Sequence, residues 1–176
     1  MSKDRPGIIA GVTGAIYKLG GDVADLNQSV LCNYLSMILS ASFDLNVNKE
    51  DLLAEISHIE TDCKFEVSIK EISPEDNEKN SLPEETYIMT AQGPNKGGLV
   101  HGISQFCYLH NINIIDLATT LENSQYTMAL QLDLQNSRST IETIQVELEE
   151  YSRTSGLTVM IQHNDIFQVT NEIGLH

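Results

Sequence analysis

The chain repeats itself, and no fold that ignores the repeat can be right. Displaced by 91 positions, Gly7 falls on Gly98, Gly11 on Gly102, Tyr17 on Tyr108, Asp25 on Asp116, Met37 on Met128 and Leu39 on Leu130, without a gap from Lys3 to Phe43. With one added residue the match resumes, pairing Leu52 with Ile144, Ile56 with Leu148, Phe65 with Leu157, Val67 with Val159 and Ile69 with Ile161. The 176 residues therefore hold two units of roughly 70 to 90 residues each. A unit of that size buries only a modest core, so packing of unit on unit, or of chain on chain, is expected to add stability. Residues 73–85 carry two prolines and five acidic residues with little to bury, and read as a linker between a first domain, 1–72, and a second, 86–176.

Periodicity places the elements. Ile8, Ile9, Val12, Ile16 and Leu19 share one face of a helix that opens with Pro6 at its first position and stops at Gly20 and Gly21. Residues 22–30 read as a strand. Over residues 35–45, Leu35, Met37, Leu39, Ala41, Phe43 and Leu45 alternate with a mostly polar set that includes Ser36, Ser40 and Ser42, as in a strand buried on one face only. A helix over 50–60 and a strand over 65–72 complete the unit. The second unit starts one element earlier, with a strand over 87–92, and then repeats the order. Ser139 and Glu142 fit a capping box for its second helix, and Gly156 fits the C-terminal cap. A last short turn is expected over 166–173. The order β-α-β-β-α-β predicts an α+β, ferredoxin-like sandwich. Its sheet is antiparallel with strand order 4-1-3-2, and both helices lie on one face.

Charge and composition exclude several functions. The net charge of −15 repels nucleic acid, so direct binding to it is not expected. No stretch is apolar for long enough to span a membrane, and the N-terminus lacks a hydrophobic signal core, which predicts a cytoplasmic protein. Cys32, Cys63 and Cys107 lack paired spacing and read as reduced thiols. The five histidines show no ligand spacing, and no nucleophile elbow occurs, so neither a metal, a cofactor nor catalysis is expected.

Asp4, Arg5, Pro6, Gly7, Ile8 and Ile9 followed by a helix, a glycine turn, and then Asp25, Leu26, Asn27, Gln28, Ser29 and Val30 resemble an ACT domain, the small-molecule-sensing module of amino-acid metabolism. Two such domains without a catalytic one resemble tandem ACT regulators of the glycine cleavage repressor type. The resemblance implies a non-enzymatic regulatory protein that senses an amino acid or small carboxylate, assembles as a homo-oligomer and acts on a protein partner, with a role in transcriptional control of amino-acid metabolism. The start of the first helix offers unpaired N–H groups to a carboxylate. Asp4 can meet a ligand ammonium, and Asp25 or Asn27 can line the same crevice. Asn95, Gly97, Gly98 and Asp116 are the matching positions of the second unit. The alternatives are a structural module without ligand, with Asp4 a mere helix cap, and an acylphosphatase-like hydrolase using Arg5 and Asn27. Against the latter, the loop lacks the glycines that wrap a phosphate.

One element is missing. All but the last residue of the strand over 87–92 map to positions ahead of Met1, so the first unit is expected to lack its opening, central strand. The expectation is that the natural chain starts a few residues upstream, or that residues 166–170 fill the slot. The two sheets are further expected to join side by side through their exposed edges.

Overall fold

A computed structural model describes residues 1–44, 46–59, 65–73, 83 and 85–167. The chain divides into two compact units, Met1–Asn77 and Glu78–His176. The first contains β1 (Ser2–Lys3), α1 (Ile8–Lys18), β2 (Gly21–Leu31), β3 (Tyr34–Phe43) and α2 (Lys49–Ser57). The second contains β4 (Tyr87–Pro94), α3 (Leu99–Leu109), β5 (Asn113–Glu122), β6 (Gln125–Asp133), α4 (Ile141–Ser155) and β7 (Thr158–His163).

The second unit is a complete ferredoxin-like fold. Its antiparallel sheet has the order β5-β6-β4-β7, which is the expected 4-1-3-2. Met89 and Ala91 of β4 and Met128, Leu130 and Leu132 of β6 are sealed from solvent beneath Ile103 of α3 and Ile144 of α4. Each large apolar side chain buried this way contributes about 2 kcal/mol. The other face of the sheet carries Thr127 and Asp133 among its polar groups.

The hairpin of one unit repeats that of the other in backbone detail. The hairpins β2–β3 and β5–β6 both turn through two left-handed residues, Cys32 and Asn33 in one and Asn123 and Ser124 in the other, the geometry whose twist suits a two-residue hairpin. The register slips once in each hairpin, between Val23 and Asp25 and between Ile114 and Asp116. Gly11 and Gly102 mark where the two helices of each unit approach closely: a Cβ on Gly11 would lie 2.8 Å from Ile59, and one on Gly102 would run into the Tyr151 hydroxyl.

The first unit departs from expectation at its missing strand. The slot is not wholly vacant, because β1 pairs with β3 as Ser2 with Leu35 and Lys3 with Tyr34, giving a sheet of order β1-β3-β2. The expected strand over 65–72 is not formed over its described residues. Only Met1 and Glu66 exchange backbone hydrogen bonds there, at 2.7 and 3.0 Å, because a strand without a neighbour has nothing to pair with. Between β3 and residues 65–72 lies a cavity of about 450 Å³ floored by Ile8, Val12, Ile16 and Ile56.

Smaller shifts have local causes. Pro6 precedes the cap of α1 instead of opening the helix, since Gly7 takes the cap position in the left-handed region at φ 94°. Thr140, one residue later than expected, caps α4 by accepting from the Thr143 N–H at 3.4 Å. The Glu142 carboxyl is held below its usual range by its own backbone N–H and by the Thr140 hydroxyl. Residues 164–167 form a helical turn, so the described part of the candidate filler 166–170 is not a strand; 168–173 lie outside the described residues, as do Cys63 and most of the linker.

Of the two described cysteines, Cys32 is exposed and Cys107 is buried in the second core. Burial pushes the Cys107 thiol up to about 11, with a backbone hydrogen bond acting weakly the other way. Against the ordinary value of 9.0 its thiolate fraction at neutral pH is about a hundred-fold lower. Peptide-mapped alkylation of the native protein is expected to label Cys32 within minutes and Cys107 only under denaturant; equal labelling of both would contradict this burial. The raised value also means that stability present below about pH 9 declines as pH climbs towards 11, since the unfolded thiol ionises first.

Candidate functional site

The loop from Asp4 to Gly7 is fixed at both ends. The Asp4 N–H donates to the Asn33 carbonyl at 3.0 Å, tying the loop to the β2–β3 turn, and the Gly7 carbonyl accepts from the Gly11 N–H at 2.9 Å to begin α1. Gly7 is needed for its positive φ and not for close approach, because a Cβ there would touch nothing within 4 Å. No side chain caps α1, so Asp4 is not the cap, and the first-turn N–H groups keep the positive end of the helix dipole exposed.

The second unit reproduces this arrangement with other side chains. The Asn95 N–H donates to the Ser124 carbonyl at 3.1 Å, Gly98 opens α3 at φ 86°, and again no side chain caps the helix. Arg5 is matched by Lys96, whose Nζ lies 3.6 Å from where a Cβ on Gly156 would stand, over the C-terminal end of α4. A cation there meets the negative end of that helix dipole. Gly97 is exposed, with open space around it.

The strand residues named with these loops lie elsewhere within each unit. Asp25 pairs with Ser40, five residues along β3 from the Leu35 that faces β1. That separation is about 17 Å along the sheet and about 10 Å across it. There its carboxylate accepts from the Ser40 hydroxyl at 3.3 Å. Asn27 pairs with Ile38, about 10 Å along the sheet and about 10 Å across. Asp116 turns back on its own chain, accepting from the Leu117 N–H at 2.9 Å. Asp4, Arg5, Pro6 and Gly7 thus form one cluster and Asn95, Gly97 and Gly98 another. Asp25, Asn27 and Asp116 do not join them within a unit, and Arg5 and Asn27 are too far apart to share a phosphate.

The structure also assembles a group that no spacing announced. His110 Nδ1 lies 3.0 Å from the Ser139 hydroxyl and His110 Nε2 lies 2.9 Å from Glu147. Its carbonyl accepts from the Arg138 N–H at 2.9 Å. Ser139 is held in its own turn, its carbonyl accepting from the Ser137 hydroxyl and its N–H donating back to it. The group therefore works as a clasp between the end of α3 and the start of α4. Among the described residues no cluster of His, Cys, Asp and Glu can hold a metal, and no helix is long and apolar enough to cross a membrane.

Comparison with known proteins agrees with this fold. An ACT-domain family model matches residues 2–70. A UPF0237 protein of Clostridium perfringens is 30% identical over 86 residues, which is 49% of this chain and 97% of that protein. A UPF0237 protein of Methanocaldococcus jannaschii is likewise 30% identical over 86 residues, 49% of this chain and 96% of its own. Among solved structures, an unknown protein from Galdieria sulphuraria superposes with a TM-score of 0.66 at 15% identity, covering 92% of this chain and 95% of its own. A putative glycine cleavage system transcriptional repressor gives 0.63 at 15% identity, covering 92% and 91%. Such relatives match about half of this chain, while those two structures match both units, so the chain belongs to the ACT-domain family and carries its fold in tandem.

Proposed function

We propose that the chain is a non-enzymatic regulatory protein of the cytoplasm that senses an amino acid or similar small carboxylate at the N-terminal ends of α1 and α3. The observation that carries this reading is the recurrence, in both units, of a helix start opened by a left-handed glycine and capped by no side chain. A ligand carboxylate satisfies those N–H groups, and at the first loop the Asp4 carboxylate is the partner for a ligand ammonium. Binding then changes the association of the chain with itself or with a protein partner. Exposed apolar residues on the open sheet face of the first unit, Ile38 above all at 81% exposure, support assembly as a homo-oligomer. With a net charge of −15, control of transcription runs through a partner protein and not through direct contact with DNA.

Titration calorimetry of the free amino acids, glycine and serine first, tests the reading. Binding tighter than about 1 mM, roughly −4 kcal/mol, is expected for at least one of them. Asp4→Ala is expected to weaken it about ten-fold without changing the melting temperature. If no amino acid binds, the sensing role is wrong.

A further inference from the structure

The open face of the second sheet is almost free of charge. Across β5, β6, β4 and β7 its middle row is Ala118, Ala129, Thr90 and Met160, because Ala118 pairs with Ala129, Ala129 with Thr90 and Thr90 with Met160. The row on one side runs from Asp116 through Gln131 and Ile88 to Gln162, and the row on the other consists of threonines and Gln92. Asp116 is the one charged residue of these rows, and one of its oxygens accepts from the Leu117 N–H at 2.9 Å. A sheet face turned to water normally carries polar and charged side chains, and this chain has 25 acidic and 10 basic residues to place on its surface. Here alanine, which strands disfavour, stands opposite alanine in the middle of the face, both exposed, and Met160 at the end of the row is 58% exposed.

The relief of this face is self-complementary. A two-fold axis lying above it and running along the strands sets β7 of each copy over β5 of the other, and β4 over β6. Met160 then stands over the hollow at Ala118 of the second copy, Thr90 over Ala129, and Asp116 over Gln162, whose amide can donate to it, so that no like charges meet. An axis across the strands sets Met160 on Met160 and leaves alanine facing alanine across a gap.

Charge and area select the occupant. Two chains of −15 repel wherever their acidic surfaces meet, and a neutral face lets them approach, whereas a basic partner finds little there to pair with. The face measures about 19 Å across the strands and about 27 Å along them. Two such faces bury about 1,000 Å², the size at which specific interfaces begin.

We infer that the open face of the second unit, centred on Ala129 and Thr90, is the surface on which two copies of this chain pack sheet to sheet, about 10 Å apart with strands aligned to within about 30°. The inference rests on the homo-oligomer of the proposed function and not on its ligand.

Sedimentation velocity of the native chain at about 50 µM is expected to show a dimer. Ala129→Glu seats a carboxylate in each half of the interface and is expected to raise the dimer Kd at least about 100-fold, with the circular dichroism unchanged because Ala129 is exposed in the single chain. A second variant decides the matter should that one fail to fold. In a chain carrying Cys32→Ser and Cys63→Ser, Ala118→Cys combined with Met160→Cys is expected to link the copies on oxidation. Within one chain β5 and β7 lie about 14 Å apart, too far for a disulfide, and each single cysteine variant is expected to stay unlinked. A native monomer overturns both this interface and the homo-oligomer. A dimer that survives Ala129→Glu, or whose copies link through Ala118→Cys or Met160→Cys alone, overturns this interface and leaves the homo-oligomer standing.

Discussion

Heating the intact chain is expected to give two transitions, the first belonging to the unit Met1–Asn77. The second unit seats β4 between β6 and β7 along most of its length, whereas β1 supplies only two residues to the corresponding slot. The difference is on the order of ten backbone hydrogen bonds, each about 1 kcal/mol net, together with the burial of the side chains that face them. Even a third of that sum shifts the midpoint of a small domain by roughly 15–20 °C. Differential calorimetry combined with hydrogen exchange of peptides from each unit assigns the transitions. One coincident transition in both units would falsify the claim that the first is the weaker.

Replacing Gly102 by valine is expected to destabilise the second unit by about 2–3 kcal/mol, lowering its midpoint by roughly 10 °C or more while the first unit's transition stays in place. Any Cβ at this position runs into the Tyr151 hydroxyl, and the two further methyl groups of valine force the Tyr151 ring, whose centroid lies 6.2 Å from that of Phe106, out of its place between the helices. Adding Tyr151→Phe removes the colliding oxygen and is expected to restore part of the loss. Gly97→Ala, at a position with open space, is the control and should change stability by no more than about 0.5 kcal/mol. A loss in G102V that the second substitution leaves untouched would place the damage in the helix itself and not in the contact.

Much of the fold was legible in the sequence because the two copies check each other. A strand alternation such as Leu35, Met37, Leu39 carries more weight when Tyr126, Met128, Leu130 repeats it, and the topology of the second unit follows from element order and crossover handedness. What escaped was set by single hydrogen bonds. Whether Pro6 or Gly7 begins α1, and whether Ser139 or Thr140 caps α4, depends on backbone angles that several residue types satisfy. The matching geometry of the two loops was legible in the repeat, and the distance of the strand residues from them was not. Asp25 follows the loop closely in the repeat pattern, but its place along the sheet is fixed by the two-residue turn at Cys32 and Asn33 and by the slip beside Ala24. Neither can be counted from composition or spacing.

The His110 clasp bears on the order in which the second unit can assemble. Its partners Ser139 and Arg138 lie 29 and 28 residues further along the chain, and the whole β5–β6 hairpin lies between the two ends it joins. Once α3 meets the start of α4, that hairpin is a closed loop, and the entropy of bringing its ends together has already been spent. Zipping β5 against β6 then proceeds outward from a turn two residues long, with both open ends tethered. The β5–β6 hairpin and the clasp thus close the same loop from its two ends, so whichever forms first lowers the entropic cost of the other.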